Sequence, residues 1–407
     1  MSLLRAYNLK NVANVYILLW FLYYMQGTFY ASGGIIGVSI MSLFLMVSLY
    51  FFFKVNRYRG VPTYLKGLNF LVILFTIYGI IRIVNPEVIY RAGGIFQNPT
   101  TYLKSYYISV LPVYALYYFV VTGKISADWL RKWAFVFIAF AVFQYYKTEV
   151  SILERLNEKG IEVELVTNNM GYYFVSLMCL IPFFDKKKGI QYIILAICGF
   201  FVISSAKRGA LLCFAVSVFI FLWYNLRHAS FKKKFGILLF GVCCFLGAYT
   251  YMNYMLSTNV SFANRFIIEV GNSSGRENLY AGVINHIFNE TSIWRLIFGN
   301  GADGSIAILG NYTHNDWLEF AIDMGLLGVI AYVYYYINFI RTIKDSRNFS
   351  IKMALLFLFI PCVMKSVYSM AIGDFQIYES AVLAYCLVVL HVPRKDKSLT
   401  NNYEYKL

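Results

Sequence analysis

Charged residues are scarce in this chain of 407 residues: they make up 14% of it, whereas hydrophobic residues make up 59%. A soluble domain carries about 25% charged residues. Apolar runs of roughly 18 or more residues, long enough to cross a bilayer, recur along the sequence. These runs lack the alternation of barrel strands, and only helices and closed barrels satisfy their backbone in lipid. The scarcity of charge therefore predicts an all-α polytopic membrane protein.

Cysteine is also scarce, and its placement excludes two kinds of site. All seven cysteines fall in apolar runs, and none lies in a predicted outer loop. No CxxC or Cys/His metal spacing occurs. We therefore expect neither a disulfide framework nor a zinc site, and we interpret the cysteines as small residues that pack helices.

Twelve apolar runs are assigned as candidate membrane spans. We expect them to form one integral membrane domain, 1–407, with about 12 transmembrane helices and both termini in the cytoplasm. The first run is interpreted as a retained span, because no small-residue cleavage site follows it. The runs are 11–29, 35–53, 67–85, 104–122, 129–146, 170–185, 190–206, 209–226, 235–252, 317–340, 352–371 and 376–392.

The formal net charge of +16 is unevenly distributed over this topology. Roughly two thirds of the 36 Lys and Arg residues fall in the predicted cytoplasmic segments, including the lysine triplets at 186–188 and 232–234. This asymmetry follows the positive-inside rule. It explains the basic balance without a nucleic-acid partner, and it sets the orientation of the chain.

The longest predicted connection, 252–316, is an extracytoplasmic loop between helices 9 and 10. Long loops in compact proteins are usually functional. The pattern over 277–288 predicts a short amphipathic helix at the membrane interface. Three glycines at 299, 301 and 304 follow, and we expect them to loosen the chain before His314.

Basic residues on the outer side oppose the general charge bias and therefore need a reason. Lys207 and Arg208 lie in a very short connection, followed by Gly209, which would let a ligand approach the next helix. Arg276 follows the small residues Ser273, Ser274 and Gly275 at a predicted helix start, where backbone amides attract anions. Arg265 is a third candidate. One explanation for these outer basic residues is that their side chains extend to the lipid headgroups. The three arginines together favour the other explanation, that they bind a di-anionic ligand such as a diphosphate.

The segment NYTHNDWLEFAIDMGLLG places ionisable groups at the start of an apolar helix. Asp316, Glu319 and Asp323 share one helical stripe. Asp323 lies roughly 10–14 Å beyond His314 along the axis, where an unpaired carboxylate is costly. We therefore expect Lys365 to form a structural ion pair with Asp323 or Glu319. His314 lies at the water boundary, where an imidazole can titrate near neutral pH.

These segments resemble a known family, the O-antigen polymerase and O-antigen ligase superfamily. HNDWLEFAIDMG fits its pattern H-[NSQ]-x9-G, with His314, Asn315 and Gly325 at the fixed positions. SSAKRGA resembles its Ser-Arg-Gly element through Arg208 and Gly209, although two residues separate the serine from the arginine. SSGREN and LIFGNGADG resemble its Gly-Arg and G-x-G segments. The resemblance covers 165–395.

The resemblance implies a glycosyltransferase without metal or cofactor, acting on undecaprenyl-diphosphate-linked sugars at the outer face of the bacterial cytoplasmic (inner) membrane. Arg208 and Arg276 would bind the diphosphate, with Arg265 or Lys207 assisting. His314 would orient or deprotonate the acceptor hydroxyl. Asn315, Gly209 and Gly325 would support the site.

Two activities fit this framework. A polymerase joins lipid-linked repeat units, whereas a ligase transfers the glycan to lipid A-core; the HNDWLE form resembles the polymerases more. The expected partners are undecaprenyl-diphosphate-linked donor and acceptor, membrane lipids and, as an open question, a chain-length regulator protein. A lipid-linked oligosaccharide flippase is a more remote alternative, because paired Gly/Pro-broken spans are absent from the sequence.

Overall fold

The computed structural model describes residues 11–31, 33–57, 60–92, 94–159, 168–227, 230–258, 263 and 276–391. Two short strands, β1 (Tyr90–Arg91) and β2 (Ile95–Phe96), form an antiparallel hairpin. Two 3₁₀ helices span Met178–Phe184 and Ile372–Asp374. The α-helices are α1 (Val12–Tyr24), α2 (Ile35–Asn56), α3 (Thr63–Val84), α4 (Thr100–Val110), α5 (Pro112–Val121), α6 (Ala127–Lys159), α7 (Gly171–Leu177), α8 (Lys188–Ser204), α9 (Arg208–Arg227), α10 (Phe231–Thr258), α11 (Arg276–Asn289), α12 (Ile293–Phe298), α13 (Gly304–Leu309), α14 (Asp316–Asp345), α15 (Phe349–Tyr368) and α16 (Ile377–His391).

The helices follow the apolar runs of the sequence. The run 104–122 divides into α4 and α5 at Leu111, ahead of Pro112, and the run 170–185 divides into α7 and a 3₁₀ helix. Among the described residues, six helices are long and apolar enough to cross a membrane (α2, α3, α6, α9, α14 and α15), and α1, α8, α16 and 171–184 are shorter apolar segments. The chain is thus an all-α membrane protein. The number of twelve spans and the side of the membrane on which 252–316 lies stay predictions.

Aromatic side chains fill the centre between α3 and α14, which pack along each other. Tyr64 and Tyr335 are fully buried, and their hydroxyls are hydrogen-bonded at 2.9 Å. Phe75 stacks on Tyr106 of α4 with ring centroids 3.9 Å apart, and Phe320 of α14 contacts this pair. Buried rings contribute large apolar areas and packing. These rings pack α3, α4 and α14 against one another and so support the segment that precedes α14.

A close backbone crossing joins the G-x-G segment to α14. The amide of Gly301 donates to the carbonyl of Asp323 at 2.9 Å, and that of Asn300 donates to Ile322 at 2.9 Å. A Cβ atom on Gly299 would lie 2.4 Å from the carbonyl carbon of Asp323, and one on Gly325 would lie 2.6 Å from the amide of Gly299. Gly299 and Gly325 therefore allow the backbone of this segment to pack directly against that of α14. The expectation that the glycines at 299, 301 and 304 loosen the chain is wrong.

The short helix predicted over 277–288 is present as α11 (Arg276–Asn289), and α12 and α13 follow it before α14 begins. The connection between α3 and α4 reaches the same end of the bundle. Its amide at Ala92 donates to the carbonyl of Gly310 at 2.7 Å. Two connections that are far apart in the sequence, β1–β2 and α11–α13, thus meet beside the start of α14.

Candidate functional site

His314 lies in a tight turn that the helix α14 holds in place. Asn315 caps the helix: its Oδ1 accepts from the amides of Trp317 (2.9 Å) and Leu318 (3.2 Å), which satisfies two of the free amides of the first turn. Its Nδ2 donates to the carbonyl of Val367 at 3.1 Å. The second residue of the H-[NSQ] pattern therefore fixes the turn both to α14 and to the end of α15.

The three acids on the first turns of α14 bind backbone amides and hydroxyl groups. Asp316 accepts from the amide of Ala371 at 2.8 Å, and Glu319 accepts from the amide of Thr313 at 2.9 Å. Asp323 accepts from the amide of Ser305 at 3.0 Å, at the start of α13. All three carboxyl groups are buried. They join three separate segments to one helix face, which explains why an apolar helix begins with acids.

The expected ion pair of Lys365 with Asp323 or Glu319 is wrong. The ammonium of Lys365 pairs instead with Asp374, which also accepts from the hydroxyl of Tyr173 at 2.6 Å. The turn at 371–374 folds back beside the end of α15 and brings Asp374 to the lysine. Glu319 and Asp323 have no need of a cation there, because amide and hydroxyl groups of Ser305 and Thr313 already donate to them.

The Lys207–Arg208–Gly209 segment packs against the start of α7. Arg208 begins α9 and is exposed, whereas Lys207 is half-buried. A Cβ atom on Gly209 would lie 2.1 Å from the hydroxyl of Tyr172. A larger residue at 209 would therefore require Tyr172 to shift, and the expected role of admitting a ligand to the helix start has no support from this contact.

Arg276 begins α11 and reaches the turn that holds His314. Its guanidinium donates to the carbonyl of Tyr368 at the end of α15. Tyr280, one turn later, donates towards the carbonyls of His314 (3.5 Å) and Val367 (3.3 Å). One face of α11 thus carries both residues to the junction of α14 and α15.

The imidazole of His314 is half-buried and makes no hydrogen bond to the described part of the chain. Burial, together with the positive charges of Arg276, Lys207 and Arg91, lowers its pKa from 6.5 to about 4. The ring is therefore neutral at pH 7 and can accept a proton. The charges of Arg276 and Lys207 therefore act on the His314 imidazole.

Arg91 is the residue that the sequence analysis missed. It lies on β1, and its guanidinium stacks 4.5 Å from the centre of the Tyr312 ring. Its Nε donates to Oε1 of Gln97 at 2.9 Å. Arg91 could have been identified from the sequence, because it is a basic residue in a predicted outer connection, as Arg208 is.

Backbone strain marks the same end of the molecule. Within the described ranges, three non-glycine residues have positive φ: Ala206 (51°), Asp303 (63°) and His314 (55°). Such angles cost energy for residues with a Cβ atom, and they concentrate at functional sites. Each of the three lies in, or next to, a segment that the sequence analysis singled out.

Two expected features lie outside the described residues: Arg265, and the small residues 273–275 that precede Arg276. Within the described part of the chain, no group of three His, Cys, Asp or Glu side chains is placed to hold a metal ion.

Comparison with known proteins adds a family. Residues 193–333 match a family model described as O-antigen ligase. The matched segment contains Lys207, Arg208, Arg276 and His314, and it does not contain Arg91. No curated protein matches the chain.

Proposed function

The chain belongs to the O-antigen polymerase and ligase superfamily, whose members are glycosyltransferase-like enzymes, and we propose that it joins undecaprenyl-diphosphate-linked oligosaccharide repeat units. The observation that carries the proposal is that α11 brings Arg276 to the junction beside the His314 turn, where the charges of Arg276 and Lys207 act on a half-buried imidazole. Cations beside a base are what transfer from a glycosyl diphosphate requires. The reaction takes place at the outer face of the cytoplasmic membrane.

The negative charge of the leaving group accounts for the basic residues of the site. Transfer breaks the bond between the anomeric carbon and the diphosphate oxygen, and the departing lipid diphosphate gains a negative charge. Arg208, Arg276 and Lys207 stabilise that charge, with Arg265 as a further candidate. Guanidinium groups suit this role because they bind phosphate oxygens bidentately.

The proton of the acceptor hydroxyl accounts for the histidine of the site. A hydroxyl of the acceptor sugar attacks the anomeric carbon from the face opposite the diphosphate, with inversion, and His314 takes its proton. A pKa of about 4 makes the free imidazole a weak base. A bound diphosphate would cancel the field of Arg276 and Lys207 and raise the pKa of His314, so the base strengthens when the donor is present.

The ligase reaction remains the second candidate, because it uses the same donor and differs only in the acceptor. The polymerase is preferred on the HNDWLE form of the motif. A flippase is a weaker candidate, since export does not require a neutral imidazole among cations.

Reconstitution in vesicles with a defined lipid-linked repeat unit, followed by mass analysis of products, tests the proposal. We expect products longer by whole repeat units, activity that persists in EDTA, and no product from His314→Ala or Arg208→Ala protein inserted at normal levels. Arg295→Ala, in α12, serves as the control for loss of a basic residue, because the guanidinium of Arg295 already pairs with Glu290, at 3.5 Å. Polymer formation by the His314→Ala protein would refute the mechanism, and strict dependence on an added divalent ion would refute the metal-free chemistry.

A further inference from the structure

Polymerisation needs two carriers, because both the donor and the acceptor repeat unit are attached to a lipid diphosphate. We propose that Arg91 forms a second diphosphate-binding position beside His314, and that it holds the carrier of the acceptor. This inference rests on the proposed function and deepens it. It assigns a substrate contact to the first part of the chain, outside the segment matched by the family model.

The first support is the way in which Arg91 is held. Its Nε is bound to Gln97, and the face of its guanidinium lies on Tyr312. Gln97 and Tyr312 are themselves hydrogen-bonded at 3.0 Å. These contacts fix the plane of the guanidinium, while its Nη atoms make no hydrogen bond to the described part of the chain. An oriented fork with unused donors is suited to a phosphate.

The second support is that no acid in the described ranges forms an ion pair with Arg91. The nearest candidate is Asp303, which is fully buried and accepts from Arg82 Nε at 3.4 Å and from Gln97 Nε2 at 3.0 Å. Both oxygens of Asp303 are therefore engaged. Arg91 is half-buried, and its positive charge still reaches His314 strongly enough to lower the pKa of the imidazole.

The third support is the separation of the two cationic elements. Arg276 approaches the His314 turn from α11 and is bound at the end of α15. Arg91 approaches from the β1–β2 hairpin, which is anchored to Gly310 through Ala92. A hydroxyl of the acceptor must reach His314 while the donor diphosphate is held nearby. Two cations on independent elements can hold two diphosphates, which would repel each other in a single position.

Binding stoichiometry tests the inference without requiring catalysis. The full chain in lipid nanodiscs is titrated with farnesyl diphosphate by calorimetry, with empty nanodiscs subtracted. We expect two equivalents for the wild type and for the Arg295→Gln control, and one equivalent for Arg91→Gln and for Arg276→Gln. Arg91→Lys should bind the second equivalent more weakly than the wild type, since a lysine keeps the charge and loses the planar fork.

The outcomes separate the inference from the proposed function. One equivalent in the wild type, lost in Arg276→Gln and unchanged in Arg91→Gln, would overturn the second position and leave the donor site intact. Absence of any binding to the wild type would overturn both. In the reconstituted reaction, Arg91→Gln should raise the KM for the acceptor by about tenfold or more, with the KM for the donor unchanged; a rise only in the donor KM would also overturn the assignment.

Discussion

Replacing Gly325 with alanine should disrupt the junction that supports the His314 turn. Gly325 interrupts α14 with φ 62° and ψ −152°, a conformation that is essentially restricted to glycine. A Cβ atom there would lie 2.6 Å from the amide nitrogen of Gly299 and 2.6 Å from the carbonyl oxygen of Leu296. Both are backbone atoms, which cannot move aside as the end of a flexible side chain can.

The magnitude follows from two costs. A residue with a Cβ atom in this region of φ and ψ costs about 1–3 kcal/mol. Forcing a methyl group into a packed contact costs about 1–3 kcal/mol more. The sum, about 2–6 kcal/mol, is a large part of the stability of a typical domain, about 5–15 kcal/mol. Relief by separating the two backbones would instead break the hydrogen bonds of Asn300 and Gly301 to α14.

Unfolding of the purified protein in increasing SDS, followed by circular dichroism, measures this loss. Gly247→Ala provides the matched control, because Gly247 lies in α10 with open space around its Cα atom. That control should be neutral or more stable by roughly 0.5–1 kcal/mol, since alanine is the better helix former. A Gly325→Ala protein as stable and as active as the wild type would refute the reasoning.

Three further predictions follow from the site. The acid limb of kcat/KM should lie near pH 4, where His314 becomes protonated, and Arg276→Gln should move it to higher pH because a cation is removed; an unchanged limb in a pH titration would contradict this. Glu319→Gln should lower stability by about 1–3 kcal/mol and reduce kcat, because Oε2 of Glu319 accepts from Thr313 and Oε1 accepts from Ser305, whereas an amide has one accepting oxygen; unaltered SDS unfolding would argue otherwise. Lys365→Met should destabilise the fold by leaving Asp374 unpaired, and a double-mutant cycle with Asp374→Asn should show coupling between the two sites, whereas additive effects would exclude the pair.

The sequence by itself determined the features that depend on local spacing. Apolar runs became helices, because a chain in hydrocarbon must satisfy its backbone internally. The amphipathic pattern over 277–288 appeared as α11. The motif elements also indicated the family, which the match over 193–333 bears out.

The tertiary structure decided which groups meet. Helical periodicity placed Glu319 and Asp323 on one face of α14, but other segments of the chain supply the backbone amides that donate to them. Lys365 forms its ion pair with Asp374 because the turn at 371–374 folds back beside α15. Arg91 reaches the site only because the β1–β2 hairpin pairs with Gly310. Sequence patterns report neighbours within one element, whereas a hydrogen bond or ion pair needs atoms within about 3–4 Å, and that distance is set by how separate elements pack.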